Sequence, residues 1–136
     1  MKPSSSSLVI IDSSALIEAH HKPFSLLATH VKSLIESGLA AITPLIRWEM
    51  NRGSMTKEEK GQLLEYLDSL EMLDWKMNWK EFERMDHLIL RAGFTVPLSD
   101  LWIAQTAIEF QTFILHRDKH FDHIASCSPL RIWNPS

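Results

Sequence analysis

The sequence predicts an α/β fold, a three-layer α/β/α sandwich around a mostly parallel sheet of four or five strands. Short apolar runs alternate with amphipathic helical segments, which is the pattern of a parallel sheet with helical crossovers. The first run, residues 8–11, is continuously apolar, as expected for a strand buried on both faces. A chain of 136 residues, 45% of them hydrophobic, suits one compact domain with its own core.

Two strands and three helices are expected in the first half of the chain. They are a strand at 8–11, a helix at 15–21, a helix between Pro23 and Gly38, a strand at 39–43 and a helix between Pro44 and Gly53. We expect Ser13 and Ser14 to cap the first helix, because serine hydroxyls accept hydrogen bonds from the free N–H groups of a helix start. Pro44 suits a first helical turn, where an N–H would have no intrahelical partner.

Four helices and three strands are expected in the second half. They are a helix after Thr56, a strand at 72–75, a helix between Asn78 and Gly93, a helix at 100–111, a strand at 112–115, a short helix from Asp118 and a strand at 130–133. Thr56 and Glu59 match a capping box, and Ser99 is expected to cap the helix at 100–111. No repeat or linker interrupts this order, so we expect one domain over residues 1–136.

The charge and the cysteine content limit the possible partners and the compartment. The formal net charge is -3, so nucleic acid would have to be held by local cations or a bound metal rather than by an overall basic field. Cys127 is the only cysteine, which excludes an internal disulfide and suits a reducing cytosol. The apolar run at 8–11 is too short for a signal peptide or a membrane span, so we expect a cytoplasmic protein without membrane contact.

Four acidic residues lie where predicted strands end or where the next helices begin. Asp12 follows the first strand, and Asp118 follows the strand at 112–115. Glu49 lies in the helix after the second strand, and Asp100 lies in the first turn of its helix. Because the carboxyl ends of parallel strands and the starts of the following helices share one edge of a sheet, we expect the four carboxylates to lie close together.

A cluster of carboxylates is costly unless a cation binds to it. Two carboxylates about 4 Å apart repel by roughly 4 kcal/mol at an effective dielectric constant of about 20. Oxygen ligands of this kind suit Mg²⁺ or Mn²⁺, which can activate a water and neutralise charge on a phosphodiester. The pattern therefore predicts metal-assisted phosphodiester hydrolysis, although each carboxylate taken alone would equally suit a helix N-terminus or a solvated surface.

Four segments of the sequence resemble the acidic motifs of the PIN-domain family and occur in the order of that family. They are Ile10-Ile-Asp12-Ser-Ser-Ala-Leu-Ile17, Trp48-Glu49-Met-Asn-Arg-Gly53, Val96-Pro-Leu-Ser-Asp100-Leu-Trp-Ile-Ala104 and Phe113-Ile-Leu-His-Arg-Asp118-Lys-His-Phe121. The resemblance extends over nearly the whole chain. It departs from the family at His116, where Thr or Ser is usual, and at His120, near which another Asp is common.

The length of the chain resembles the VapC-type toxins of that family, which are single PIN-like nuclease domains. The resemblance implies an Mg²⁺- or Mn²⁺-dependent endoribonuclease that hydrolyses RNA, forms a homodimer and is neutralised by a cognate VapB-like antitoxin. It implies four metal-binding and catalytic residues, Asp12, Glu49, Asp100 and Asp118. Ser13 would assist substrate binding, and the helices across residues 44–70, including Trp48, are the expected surface for the antitoxin and for dimerisation.

Other functions fit parts of the sequence. A PIN nuclease with a housekeeping role in RNA processing, or a weakly active PIN-like module that binds RNA or protein, would share most of these residues. A phosphatase with Asp12 as its nucleophile is disfavoured, because such enzymes usually carry a second aspartate two residues later, where this chain has Ser14. A transition-metal site of His116, Asp118, His120 and His123 is also disfavoured. We expect His120 and His123 to be partly solvated and His116 to fill space.

Overall fold

The computed structural model describes residues 7–53 and 55–135, and this part of the chain contains five strands and seven helices. In chain order they are β1 (Val9–Ile11), α1 (Ser13–His21), α2 (Leu26–Glu36), β2 (Ala40–Ile42), α3 (Pro44–Asn51), α4 (Lys57–Leu67), β3 (Glu71–Met72), α5 (Trp79–Arg91), α6 (Leu98–Glu109), β4 (Phe113–Leu115), α7 (Lys119–Ser126) and β5 (Arg131–Ile132). Each predicted strand and helix is present, with boundaries that differ by a few residues.

The strands form one sheet in the order β3-β2-β1-β4-β5, and every neighbouring pair is parallel. The predicted fold class is therefore confirmed. Val9 in the central strand pairs with Ala40 on one side and with Phe113 on the other. The chain moves outward from β1 through β2 to β3, and then returns to β4 and moves outward in the other direction. The carboxyl ends of β1 and β4 therefore flank the point where the strand order reverses, which is where open parallel sheets bind ligands.

Apolar side chains from both layers of helices cover the sheet. β1 and β2 consist only of buried residues, which agrees with the continuous apolar pattern of the first strand. Because parallel crossovers are right-handed, the reversal at β1 places α1 to α4 on one face and α5 to α7 on the other. In agreement, α1 contacts α2 and α3, and α6 contacts α5 and α7; α3 and α6 also contact each other. Within residues 7–53 and 55–135, no helix combines the length and the apolar character needed to span a membrane.

Two predicted helix caps are wrong. α1 begins at Ser13, and its N-cap is Asp12, whose side chain accepts a hydrogen bond from the Ser14 backbone N–H. The carboxylate thus takes the place that the serine hydroxyls were expected to fill. α6 begins at Leu98 behind a proline N-cap that makes no side-chain hydrogen bond, so Ser99 lies inside the helix. The fixed φ of proline, here −61°, already suits a helix start.

The third strand is shorter and earlier than the predicted strand at 72–75. β3 pairs only with β2, through Ala41 with Glu71 and Ile42 with Met72. One further hydrogen bond joins the Leu73 backbone N–H to the Ile42 carbonyl at 2.8 Å. The ladder ends there because the residue after Ile42 is already the N-cap of α3 and no longer offers a strand to pair with.

Candidate active site

The four predicted carboxylates come from four different elements at the carboxyl edge of the sheet. Asp12 is the N-cap of α1, directly after β1, and Asp118 is the N-cap of α7, just beyond β4. Asp100 lies in the first turn of α6, and Glu49 lies on α3. Their charges act on one another, since Asp12 and Asp118 each raise the pKa of both Asp100 and Glu49. The four carboxylates therefore lie near enough for their charges to interact, and the metal-binding roles expected for them stay a prediction.

Asp12 is the most deeply buried of the four, with only 3% of its surface exposed. Its Oδ2 accepts hydrogen bonds from the Ser14 hydroxyl at 2.6 Å and from the Ser14 backbone N–H at 3.1 Å. The Ser14 hydroxyl in turn accepts a hydrogen bond from the Arg117 backbone N–H at 3.0 Å. Ser14 thus fastens the residues after β1 to those after β4, so that the two central strand ends keep a fixed separation.

The second oxygen of Asp12 has no such support. Asp12 Oδ1 is buried and has no hydrogen-bond partner among the residues that the structure describes. Burial raises the pKa of Asp12, and the charge of Asp118 adds to this, against the hydrogen bonds from Ser14 that lower it. A buried carboxylate oxygen without a donor is costly, and a cation is the partner that relieves this cost for an acidic group.

A tight cluster of three residues lies beside Asp12. Asp100, Asp118 and His120 each offer one atom that could bind a metal, and these atoms lie within 4.8 Å of one another. His120 Nδ1 lies 3.0 Å from Asp100 Oδ2 and 2.9 Å from Asp118 Oδ1. The backbone N–H of His120 also donates to Asp118 Oδ1 at 3.0 Å. The imidazole therefore sits between two of the predicted carboxylates, whereas Asp12 and Glu49 lie outside this cluster.

The carboxylates of Asp100 and Asp118 titrate very differently. Burial, followed by the charges of Asp118 and Asp12, raises the pKa of Asp100 from 3.8 to about 7. For Asp118, burial also acts to raise the pKa, but hydrogen bonds from His120 and Asp100 outweigh it and the pKa is lowered. The two pKa values therefore move in opposite directions, because burial dominates at Asp100 and hydrogen bonding dominates at Asp118.

Glu49 lies half-buried on the other side of the site. Burial raises its pKa first, and the charges of Asp12 and Asp118 raise it further. The hydroxyl of Ser13 donates a hydrogen bond to Glu49 Oε1 at 3.3 Å. Ser13 thus holds the carboxylate of Glu49, and its expected contact with substrate stays a prediction.

The three histidines of this region have three different environments. The His116 side chain is 7% exposed, its Nδ1 accepts the Asp118 backbone N–H at 3.0 Å, and its Nε2 lies 3.1 Å from Asp122 Oδ1. His116 therefore shapes the turn before α7, in agreement with its expected space-filling role. His123 stacks on Phe94, with ring centroids 4.1 Å apart.

His120 is the site residue that sequence reasoning missed. As expected, it lies in a helix and is partly solvated, with 29% of its side chain exposed, but it also contacts Asp100 and Asp118. Its position in the first turn of α7, two residues after the N-cap Asp118, places its side chain on the same edge of the sheet as the carboxylates. That spacing is the signal in the sequence that could have identified it.

The family model for the PIN domain matches residues 9–126 of the chain. Comparison with the curated proteins gives no match. One similar solved structure is VapBC2 from Rickettsia felis, bound to a DNA fragment from its promoter. Its TM-score is 0.74 at 14% identity, and the match covers 95% of this chain and 99% of that chain. VapBC-1 from nontypeable Haemophilus influenzae has a TM-score of 0.70 at 17% identity, with coverages of 93% and 97%. VapBC-5 from Mycobacterium tuberculosis, a member of the VapBC family of toxin-antitoxin systems, has a TM-score of 0.62 at 18% identity, with coverages of 93% and 97%.

Proposed function

Because the chain belongs to the PIN domain family, we propose that it is a metal-dependent endoribonuclease and the toxin of a type II toxin–antitoxin pair. The observation that carries the proposal is the acidic edge itself. There, Asp12 Oδ1 is buried without a donor, and the pKa of Asp100 is raised to about 7 by burial and by neighbouring negative charge. Such an edge suits a divalent cation with a preference for oxygen ligands, and it suits the phosphate groups that such a cation attracts.

In this proposal, four carboxylates bind Mg²⁺ or Mn²⁺ directly or through its waters, those of Asp12, Glu49, Asp100 and Asp118. When bound, the ion supplies a water of lowered pKa and neutralises charge on the phosphodiester. The chain contributes the positions of these ligands, because Ser14 fixes the strand ends that carry Asp12 and Asp118. The fit of the site to the ion thus rests on the four carboxylates and on Asp12 Oδ1, a buried oxygen without a donor among the described residues.

Glu49 is the residue we assign to proton transfer. Burial and the charge of Asp12 raise its pKa, which makes this carboxylate a stronger base than an exposed one. The Ser13 hydroxyl donates to Oε1 and so leaves Oε2 to take up the proton of the attacking water. In this role Ser13 orients the base, and its contact with RNA would come through the same hydroxyl group.

RNA is proposed as the substrate from the resemblance to VapC-type toxins. With a net charge of -3, the chain must hold RNA through the ion and through cations near it. Arg117 and Lys119 flank Asp118 and are exposed, which suits contacts with phosphates on either side of the scissile bond. Arg117 is also paired with Glu18, whose Oε2 accepts from Nε at 2.8 Å.

The toxin role is supported by the shape and extent of the chain. The similar solved structures are described as VapBC assemblies, and each is covered almost completely by this chain, so the likeness extends over the whole of their length. We propose accordingly a single nuclease domain that acts in the cytoplasm, forms a homodimer and binds a VapB-like antitoxin. The proposed surface is that of the helices across residues 44–70, on which Trp48 is exposed.

Cleavage of a mixed RNA substrate tests the enzymatic part of this proposal. The purified protein is compared with Asp12→Asn and with Glu83→Gln, which removes one charge from an exposed position on α5. We expect cleavage with Mg²⁺ or Mn²⁺, none with EDTA, a loss of at least about a hundredfold in Asp12→Asn, and full activity in Glu83→Gln. Equal cleavage by the wild type and Asp12→Asn would contradict the proposal.

Expression in a bacterial host separates a toxin from a housekeeping nuclease. A toxin is expected to arrest growth, Asp12→Asn is expected not to, and co-expression of an antitoxin encoded beside the toxin gene should restore growth. Active RNA cleavage by the purified protein without growth arrest would instead support a role in RNA processing.

A further inference from the structure

His120 lies between two of the carboxylates that are proposed to bind the metal ion, Asp100 and Asp118. We propose that His120 binds the metal ion through Nδ1, so that the centre has a mixed set of nitrogen and oxygen ligands. This inference rests on the proposed function, since it concerns the same ion. It goes beyond that function by assigning a ligand that is not a carboxylate and a metal preference that follows from it.

The distances around His120 are those of ligands that share one ion. Nδ1 lies 3.0 Å from Asp100 Oδ2 and 2.9 Å from Asp118 Oδ1. Ligand atoms about 2.1 Å from an ion and at right angles to each other are separated by roughly 3.0 Å. The same separations suit hydrogen bonds, and Nδ1 can serve in either role, because an imidazole nitrogen is a donor with its proton and a ligand without it.

The surroundings of the ring hold Nδ1 toward the carboxylates. His120 lies in the first turn of α7, where its backbone N–H donates to Asp118 Oδ1 at 3.0 Å. The His120 ring lies edge-on to the ring of His123, with 6.5 Å between the two centroids. The ring of His123 is in turn stacked on that of Phe94. The imidazole is thus placed by backbone and aromatic contacts as well as by its contacts with the two carboxylates.

Asp12, which lies outside the cluster, carries a buried acceptor that His120 does not satisfy. Asp12 is 3% exposed, its charge acts on Asp100, and its Oδ1 has no donor among the described residues. An imidazole that only donated a hydrogen bond, with no metal bound, would leave Asp12 Oδ1 without a partner. An ion bound by His120, Asp100 and Asp118 would supply positive charge to Asp12 as well.

A neutral imidazole ligand changes which metal the site prefers. Mg²⁺ favours oxygen ligands, whereas Mn²⁺ accepts nitrogen more readily, and imidazole strengthens binding of the later divalent metals still further. We therefore expect the site to bind Mn²⁺ more tightly than Mg²⁺. Replacing His120 by Asp should shift this preference toward Mg²⁺, because it exchanges a nitrogen ligand for a charged oxygen ligand.

Pulsed electron paramagnetic resonance of bound Mn²⁺ tests the inference without an activity assay. Wild-type protein is prepared with natural and with ¹⁵N-labelled histidine, beside His120→Asn and His120→Asp. The control is His87→Asn, at an exposed histidine on α5, and each protein is checked for cooperative unfolding. We expect a histidine nitrogen coupling in the wild type and in His87→Asn that changes with the isotope and is lost in both His120 variants. Calorimetric titration should show the ratio of Mn²⁺ to Mg²⁺ affinity falling roughly tenfold in His120→Asp.

The outcomes separate this inference from the proposed function. If Mn²⁺ binds and Asp118→Asn removes it, but no nitrogen coupling is present in the wild type or the coupling persists in His120→Asn, the ligand role of His120 is refuted and the metal site remains. An unchanged affinity ratio in His120→Asp refutes it as well. If the folded wild type binds neither Mn²⁺ nor Mg²⁺, the proposed metal-dependent function fails and the ligand role fails with it.

Discussion

Asp100 is the residue at which the cost of buried negative charge is largest. It is 7% exposed and lies in the first turn of α6, where the helix N-terminus favours a carboxylate. Burial and the charges of Asp118 and Asp12 outweigh that effect and raise its pKa to about 7. A group that must be charged to bind a cation is thus held in a place where the charged form is unfavourable without one.

Asp100→Asn should therefore change how the stability of the metal-free protein depends on pH. Between the ordinary pKa of 3.8 and the folded value of about 7, the folded protein binds more protons than the unfolded chain, so the free energy of unfolding falls as pH rises. Asn cannot ionise, so the free energy of unfolding of the variant does not fall for this reason. In EDTA its stability relative to the wild type should grow by on the order of 1–2 kcal/mol between about pH 5 and about pH 8.

Urea unfolding at the two pH values measures this difference, with Glu83→Gln as a control that alters charge far from the site. A stability difference between Asp100→Asn and the wild type that is the same at both pH values would show that Asp100 ionises normally. The account of a strained acidic edge would then be wrong.

Sequence reasoning placed the four carboxylates at one edge of the sheet. Asp12 and Asp118 each follow a strand and Asp100 lies in a first helical turn, whereas Glu49 is carried there by the helix that follows β2. Sequence reasoning missed the contacts of His120, because a histidine in a first helical turn is usually solvated. Its spacing from Asp118 was a usable signal, but its contact with Asp100, distant in the chain, gave none. His116 was easier to interpret, because its space-filling role depends on neighbours close in sequence, Asp118 and Asp122.

At the scale of elements, the N-caps decide where the helices that carry the site begin. Thr43 is 3% exposed and caps α3, with its Oγ1 accepting the Ile46 backbone N–H at 3.1 Å. Ser25 caps α2 in the same way, accepting from the Ala28 backbone N–H at 3.1 Å. α3 carries Glu49 to the site, whereas none of the site residues lies on α2.

We expect Thr43→Val and Ser25→Ala to have similar effects on stability and different effects on activity. Each removes one N-cap hydrogen bond and should cost about 1 kcal/mol in the free energy of unfolding. Only Thr43→Val should lower RNA cleavage, by about tenfold, because Glu49 shifts with the start of α3. Chemical denaturation and initial cleavage rates measure the two effects. Equal losses of activity in both variants would show that stability alone limits cleavage.

The order and type of the elements could be predicted from the sequence, because the spacing of apolar residues and the position of turn residues are local signals. The predictions of the α1 cap and of the β3 boundaries were wrong. In the first, two neighbouring residues compete for the same N–H, and in the second, the boundary depends on a partner strand. Asp12 displaced Ser13 and Ser14 as the cap of α1, since its side chain reaches the same N–H. The end of β3 depends on β2, whose pairing stops where α3 begins, and no signal within residues 72–75 contains that information.

At the scale of the whole molecule, one apolar cleft lies beside the proposed interaction surface. It has a volume of about 350 Å³ and is lined in part by Pro44, Trp48, Trp75 and Trp102. Trp48 is 53% exposed, and the guanidinium group of Arg52 lies over its ring at 4.7 Å. A half-exposed tryptophan at an apolar cleft is typical of residues that contribute strongly to a protein interface.

Trp48→Glu should therefore weaken association of the chain with a second copy, by at least about tenfold in the dissociation constant, because it places a charge in an apolar interface. Trp79→Glu is the matched control, since Trp79 is 62% exposed on α5 and lies outside residues 44–70. Sedimentation equilibrium of the three proteins measures the effect. An unchanged dissociation constant in Trp48→Glu would place the dimer interface elsewhere.

The sequence predicted a mostly parallel sheet but did not determine the order of its strands. That order depends on which apolar faces pack together, and these contacts join residues far apart in the chain, such as Val9 with Phe113. The order matters for function, because placing β1 beside β4 brings Asp12 and Asp118 to the same crevice. The predicted convergence of the carboxylates therefore depended on a general property of parallel sheets and not on a known strand order.

Metal binding at the acidic edge is proposed both to stabilise the fold and to enable RNA cleavage. The most direct test is a titration of the EDTA-treated protein with Mn²⁺, in which the thermal midpoint and the rate of RNA cleavage are measured in the same samples. We expect both to rise over the same concentration range, with a stabilisation of about 3 kcal/mol at a hundredfold excess over Kd, and neither to rise in Asp118→Asn. Cleavage that is complete without metal, or that is retained by Asp118→Asn, would contradict the claim.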